Sequence, residues 1–376
     1  GSAALMAGDL ATTPVTGMRV QLCGDAHLRN FGVFATPERD EVFDVNDFDE
    51  TLPGPWEWDV KRLAASLVLA AGEHGVDPRE RRKTAVAAVR SYREQMGRFA
   101  RQRYLDTWYA HIDLHHIPGA VRRKGRKLLG RSMAAARRHT GLYAFPRMTH
   151  VTGRGPQIAD DPPFIAHPRG RSGVRWAERV FEVYRRGLPD ERRGLLDRYH
   201  LVDVAQKVVG IGSVGTECAV LLLMADPDVE DPIFLQLKQA SASVLEPFAG
   251  ASRYADPAER VVAGQHLIQE ASDIFLGRSA EGPRRYYLRQ LRDMKFSPDV
   301  AAVGAKTLAG LGELCGAALA RAHARSGDPA RISGYLGNRP SFDEALGDFA
   351  VAYARQAERD HRRFVRGFQK GRFPSG

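Results

Sequence analysis

The sequence predicts a mixed α+β protein in two lobes, a small antiparallel-sheet lobe and a larger helical one. Three observations predict this. The chain has 376 residues, 43% hydrophobic and 27% charged, which is enough to bury a large core and to form two lobes or domains. Apolar residues recur at helical spacing over 56–109 and again over 300–368. Between them, short apolar runs divided by Gly, Pro and Asp clusters occupy 202–238.

In chain order, a short strand is expected over 18–22, ending at the Gly24-Asp25 loop. Strands over 31–34 and 42–45 then flank a turn at Thr36-Pro37-Glu38-Arg39-Asp40. Pro53-Gly54-Pro55 breaks the chain before a helix over 56–71. Helices follow over 78–109 and 120–138, then an irregular Pro/Gly-rich stretch over 141–173 and a helix over 174–186. Strands over 202–209, 218–224 and 233–238 read as an antiparallel meander, interrupted by Gly210-Ile211-Gly212-Ser213-Val214-Gly215 and by a Pro/Asp-rich turn at 226–232. A helix over 259–275, a strand over 285–291, a helix over 300–325 and a long amphipathic helix over 342–368 complete the chain. The organisation is therefore 1–200 as the loop-bearing part of the helical lobe with a helical insert, 201–292 as the strand-rich lobe, and 293–376 as helices completing the helical lobe.

Composition narrows the classes of function. A net charge of +10 invites a nucleic-acid reading, but the excess is arginine spread along helical stretches, with no helix-turn-helix spacing, zinc finger or basic groove interleaved with stacking aromatics. No specific nucleic-acid partner is expected; the field suits a phosphorylated nucleotide equally well. Cys23, Cys218 and Cys315 have neither disulfide nor metal-ligand spacing. Without a long apolar run or a signal-like N-terminus, the expected location is cytoplasmic, with no membrane partner.

The chemistry lies in three short segments. A lone glycine loop serves dinucleotide-binding and kinase folds alike. Here it is followed by a strand, a turn and another strand ending in Lys238, rather than by a helix. That is the arrangement in which a loop between two strands covers phosphates and a lysine on the third strand contacts them. Phosphoryl transfer also needs a carboxylate beside the acceptor hydroxyl and oxygen ligands for Mg²⁺. Asp25 fits the first role; Asn30, five positions on, and Asp47, after the hairpin, fit the second. Gly210, Gly212, Ser213 and Gly215 would cover the phosphates of ATP, and Lys238 would contact them.

Gly24-Asp25-Ala26-His27-Leu28-Arg29-Asn30 resembles the H-G-D-x-x-x-x-N catalytic loop of aminoglycoside phosphotransferases and related kinase-like enzymes, and Asn46-Asp47-Phe48-Asp49 is similar to their I-D-[FW] metal motif. More closely, 23–31, 46–51, 53–61, 271–277 and 319–328 resemble an uncharacterised bacterial family, domain of unknown function 2252. The kinase resemblance implies a bilobal protein-kinase-like fold in circularly permuted order, because Asp25 precedes Lys238. Cys23 stands where the superfamily usually has His. Permutation is compatible with folding, since termini often lie close together at the surface. By position, Asp59 matches the buried Asp that braces the catalytic loop, the alternative being an acid at a helix N-terminus favoured by the dipole, and Leu291-Arg292-Asp293 would be the inter-lobe hinge near the adenine, with Leu291 and Asp293 beside the base.

Lys238 needs a carboxylate partner, for which Glu246 is the first choice and Glu259 the second. Trp56 and Trp58 read as core aromatics. The expected reaction is transfer of the γ-phosphoryl group of ATP, with Mg²⁺, to a hydroxyl of a small molecule. A nucleotide-binding pseudokinase or an AMP-transferring enzyme on the same fold is the alternative, and a basic nucleic-acid-binding protein the non-enzyme alternative.

Overall fold

The computed structural model describes residues 2–112, 141–153, 155–167, 171–208, 216–225, 231–291 and 305–371. The glycine loop at 210–215, Asp293 and the helix expected over 120–138 lie outside the described residues. The chain is α+β, with small antiparallel sheets and a larger helical part. Among the described residues no helix is long and apolar enough to cross a membrane.

Helix α1 (Ser2–Ala11) leads into strand β1 (Arg19–Leu22), a 3₁₀ turn at Leu28–Asn30, strands β2 (Phe31–Ala35), β3 (Glu41–Val45) and β4 (Leu52–Pro55), and helices α2 (Trp56–Glu73), α3 (Pro78–Phe99) and α4 (Tyr104–Tyr109). The expected helix over 78–109 is broken because its buried stripe, which includes Tyr92, Met96 and Phe99, ends there. Residues 100–106 lack buried apolar contacts to hold another turn. Pro53 and Gly54 do not simply interrupt the chain: β4 pairs antiparallel with β1, Leu22 opposite Leu52.

The expected irregular stretch over 141–173 contains helix α5 (Gly141–Met148), the hairpin β5 (Thr149–Thr152) and β6 (Gly155–Ile158), and the short strand β7 (Ile165–Ala166). After α6 (Arg171–Arg186) and α7 (Asp190–Leu196) come β8 (His200–Lys207), β9 (Cys218–Met224) and β10 (Pro232–Ala240). A single turn α8 (Glu246–Ala249) and helix α9 (Pro257–Ile268) precede β11 (Gly277–Glu281) and β12 (Arg284–Gln290). Helices α10 (Ala305–Ser326), α11 (Pro329–Leu336) and α12 (Ser341–Gln369) close the described chain. The expected meander is thus part of a six-stranded sheet ordered β11-β12-β10-β9-β8-β7.

Strand β9 is apolar throughout because both faces of the sheet are covered. Ala219, Leu221 and Leu223 join a cluster with α6, including Val180 and Tyr184. Val220 and Leu222 join the opposite cluster with Ala144, Met148 and Ile158. The helical part has its own core, in which α3 packs on α2, α10, α11 and α12. Trp56 and Tyr92 stack there with rings 5.7 Å apart and 3° from parallel, and Trp56 and Trp58 are buried as expected. A Cβ on Gly316 would stand 2.1 Å from the carbonyl oxygen of Ala88, so this glycine sets how closely α3 and α10 approach.

Candidate active site

One face of α2 carries the Asp25 loop. Positions 59, 62 and 66 are about one turn apart and share a face. The Asp59 carboxylate accepts from the backbone N–H of Cys23 (2.8 Å) and Gly24 (3.2 Å). Arg62 donates from Nε to Asp25 Oδ1 (2.8 Å), with its Nη2 at 2.5 Å from the same oxygen. Ser66 Oγ accepts from the N–H of Leu28 (3.0 Å). Asp59 is itself buried against His323 of α10, whose Nε2 lies 3.4 Å from Oδ2 and whose Nδ1 lies 2.9 Å from the Tyr92 hydroxyl. An imidazole therefore reaches this aspartate from His323 of α10.

Gly24 is required at the turn. Its φ is +87°, and a Cβ there would lie 2.3 Å from the Glu50 carbonyl oxygen. Close approach thus presses the Asp25 loop onto the second acidic segment. Asn30 donates from Nδ2 to the Asp25 carbonyl (2.7 Å), so its Oδ1 is turned away from that bond. The hairpin of β2 and β3 pairs Phe31 with Val45, and the N–H of Asn46 donates to the Asn30 carbonyl (2.8 Å). Asp47 consequently leaves the hairpin beside Asn30.

The sheet supplies the opposite wall. Lys238 of β10 is directly opposite Tyr287 of β12, and Gln236 and Arg289 are two residues away on the same face. The Lys238 ammonium, only 6% exposed, pairs with Asp49 Oδ2, and the Tyr287 hydroxyl donates to Asp49 Oδ1 (2.6 Å). Arg289 donates to the Asn46 carbonyl (3.0 Å) and to Gln236 Oε1 (3.2 Å). Arg260 of α9, almost wholly buried, donates to the carbonyls of Thr51 (2.7 Å), Asp49 (2.7 Å) and Ser241 (2.8 Å).

Burial alone would lower the Lys238 pKa, but Tyr287 and the carboxylates of Asp47 and Asp49 overcome it and hold the ammonium protonated, well above its usual range. Burial lowers the His27 pKa; Asp25 and Asp47 oppose that lowering, whereas Arg62 and Arg29 add to it. Asp47 therefore acts electrostatically on both His27 of the loop and Lys238 of the sheet.

Asp25 and Asn30 thus share one loop, and Asp47 belongs to the segment whose Asp49 pairs with Lys238. Glu246 is not the Lys238 partner: its carboxylate accepts from the N–H of Ser243 (3.2 Å) at the start of α8, whereas Asp49 reaches the lysine directly. Glu259 lies 3.4 Å from Arg278 instead. Leu291 donates its N–H to the Phe234 carbonyl (2.8 Å), just beyond β12. Sequence reasoning missed Arg62, Asp49 as the lysine partner, Tyr287, Arg289 and Arg260. Arg62 and Ser66 were discoverable, one and two turns beyond Asp59, and Asp49 is the second acid of the same four-residue motif as Asp47. Among the described residues no group of three or more His, Cys, Asp or Glu is arranged to hold a metal ion.

These features define an α+β protein in which a buried lysine from an antiparallel sheet closes on an acidic loop of the helical part. Residues 1–367 match the family described as "uncharacterized protein conserved in bacteria (DUF2252)", and the chain belongs to it. No curated protein and no solved structure matches the chain.

Proposed function

We propose that the protein is a kinase-like phosphotransferase that moves the γ-phosphoryl group of ATP to a hydroxyl of a small molecule. The observation that carries this reading is geometric: buried Lys238 of the sheet pairs with Asp49, two residues from Asp47, in the acidic segment against which the Asp25 loop turns at Gly24. The sheet supports a kinase-like fold in permuted order. Strands β8, β9 and β10 are neighbours, the glycine segment joins the first two, and the lysine is on the third, as the phosphate-covering loop and strand lysine of kinases require.

Each residue then has a task. Lys238 holds the α- and β-phosphates, and its closeness to Asp49 means that the phosphates enter where a carboxylate already faces the ammonium. The Asp25 carboxylate has Oδ1 committed to Arg62, so Oδ2, 3.6 Å from His27 Nε2, is the oxygen that orients the acceptor hydroxyl and receives its proton. Asp47 and Asn30 Oδ1 fit a magnesium ion, which commonly takes one or two carboxylates and fills its shell with phosphate oxygens and water. Bound with the nucleotide, that ion would neutralise charge on the β- and γ-phosphates. Positioning and charge complementarity supply the acceleration.

A groove of about 690 Å³, bordered by His27, Arg29, Arg62, Ser66 and Tyr353, supports a small-molecule acceptor. Its volume lies in the range of ligand pockets, and Arg62 at its edge touches Asp25.

The test is a melting series with ATP, with and without Mg²⁺, followed by mass analysis of the products. Metal-dependent stabilisation by ATP and loss of its γ-phosphoryl group are expected. Asp25→Asn should abolish turnover while ATP still raises the melting temperature. Release of pyrophosphate would establish AMP transfer instead, and binding without products a pseudokinase. Absence of any nucleotide effect would sink the reading.

A further inference from the structure

Positive charge is not spread evenly over the folded molecule. The end of α12 with its cap, residues 355–370, carries six basic side chains and two acids, a net of +4 against +10 for the whole chain. Arg355, Arg359, Arg362, Arg363, Arg366 and Lys370 recur at the three- and four-residue spacing that keeps side chains on one helix face. All six are exposed, in a stripe about 22 Å long.

The two ends of α12 treat charge differently. At its start, Asp343 pairs with Arg93 of α3, and Glu344 and Asp348 pair with Arg82. On the stripe, among the described residues, only Arg363 has a carboxylate within ion-pair distance, that of Asp360 at 3.8 Å. Arg355 and Arg359, Arg359 and Arg363, Arg362 and Arg366, and Arg366 and Lys370 are like charges four residues apart, which is destabilising in a helix. No side chain of α12 beyond Ala354 is buried to offset that repulsion. The helix dipole favours cations in the last turn only, so it accounts for Arg366 and Lys370 and not for Arg355 or Arg359. Unneutralised cations aligned on one helix face are the electrostatic footprint of a polyanion site.

We infer that this face of α12 binds the phosphate backbone of double-stranded nucleic acid, through charge and without regard to sequence. A duplex carries one negative charge per about 1.7 Å of its axis, so on the order of a dozen lie alongside a stripe of this length. The other side of the helix argues against a lipid surface as the partner. A helix docked on a bilayer buries its apolar face, whereas Tyr353, Ala357 and Phe364 border the groove over α2 and the six cations face solvent. The inference is independent of the phosphotransferase reading.

The experiment follows the fluorescence anisotropy of a labelled random-sequence DNA duplex of about 20 base pairs, titrated with the full chain at several salt concentrations. Each neutralised phosphate contributes about −0.9 to the slope of log K against log salt, so engagement of all six cations should weaken binding about 10³-fold between about 50 and about 200 mM. In the triple variant Arg355→Gln/Arg359→Gln/Arg362→Gln, whose exposed side chains leave the melting temperature unchanged, the same rise in salt should weaken binding only about 40-fold. A slope equal to that of the wild type would overturn the assignment of this face. No duplex binding at the lowest salt, or binding to phosphatidylserine vesicles in its place, would overturn nucleic acid as the partner.

Discussion

The two acidic segments of the site are held in opposite ways. The Asp25 loop is supported from within the helical part, where Asp59 and Ser66 receive its backbone N–H groups and Arg62 takes its carboxylate. The segment from Asn46 to Thr51 is held by side chains that come from the other side, Lys238, Tyr287 and Arg289 of the sheet and Arg260 of α9. The first is a shelf whose hydrogen-bonded supports come from α2, although it abuts the second segment where Gly24 meets the Glu50 carbonyl. The second is the joint between sheet and helices, and it contains the charges that a phosphorylated ligand would have to rearrange.

The comparison can be broken most severely at the shelf. Asp59→Ala removes the carboxylate that accepts from the backbone N–H groups of Cys23 and Gly24 and leaves both unpaired, the first of them buried, with His323 beside an empty space. A loss of about 3–5 kcal/mol is expected in urea unfolding; an unchanged midpoint would show that the loop does not depend on this brace. Gly24→Ala comes next. It combines a positive φ with a collision against the Glu50 carbonyl, and about 2–4 kcal/mol should be lost, with the Glu50 side moving rather than α2.

At the joint, Lys238→Met should cost less, about 1–3 kcal/mol, because Asp49 is one-third exposed and water can take over part of its solvation. Its functional effect should be larger than its structural one: ATP should no longer raise the melting temperature, while proteolytic protection of the Asp25 loop persists. Loss of both together would show that shelf and joint are one cooperative unit.

The smallest effect depends on pH. Burial, aided by Asp44, raises the Glu270 pKa to about 7, against the opposing charges of Arg321 and His111. Its folded pKa exceeds the unfolded one, so the neutral carboxyl favours the fold at low pH, and that contribution is lost as pH rises from the ordinary carboxylate range through about 7. Glu270→Gln should therefore be more stable than wild type by about 1–2 kcal/mol at pH 8. The difference should shrink toward pH 4.5; a difference constant across that window would place the effect elsewhere.

The shelf was more legible in the sequence than the joint, for a physical reason. Helical periodicity from Trp56 onward puts Asp59, Arg62 and Ser66 on one face, so a local rule recovers most of the support of the Asp25 loop. Strand β9 was likewise legible from end to end, since an unbroken apolar run between polar turns leaves little freedom of assignment. The joint is made by pairs remote in sequence. Glu246 was expected to hold Lys238 because it follows the lysine closely, whereas the ammonium lies on the sheet face toward the helical part and meets Asp49. Strand β11 was not legible because Gly277-Arg278-Ser279-Ala280-Glu281 has neither alternation nor β-branched residues; its pairing to β12 makes it a strand. Arg260 gave no sign of burial, since an arginine on a helix is ordinarily a surface residue.

That arginine restricts how the molecule can move. One rigid, planar group grips peptide oxygens on both sides of the gap, two before α2 and one just after β10, much as a rivet passes through overlapping plates. Any breathing that admits a substrate must then swing about this point instead of parting there, and a guest large enough to wedge the plates apart would have to tear out three hydrogen bonds at once.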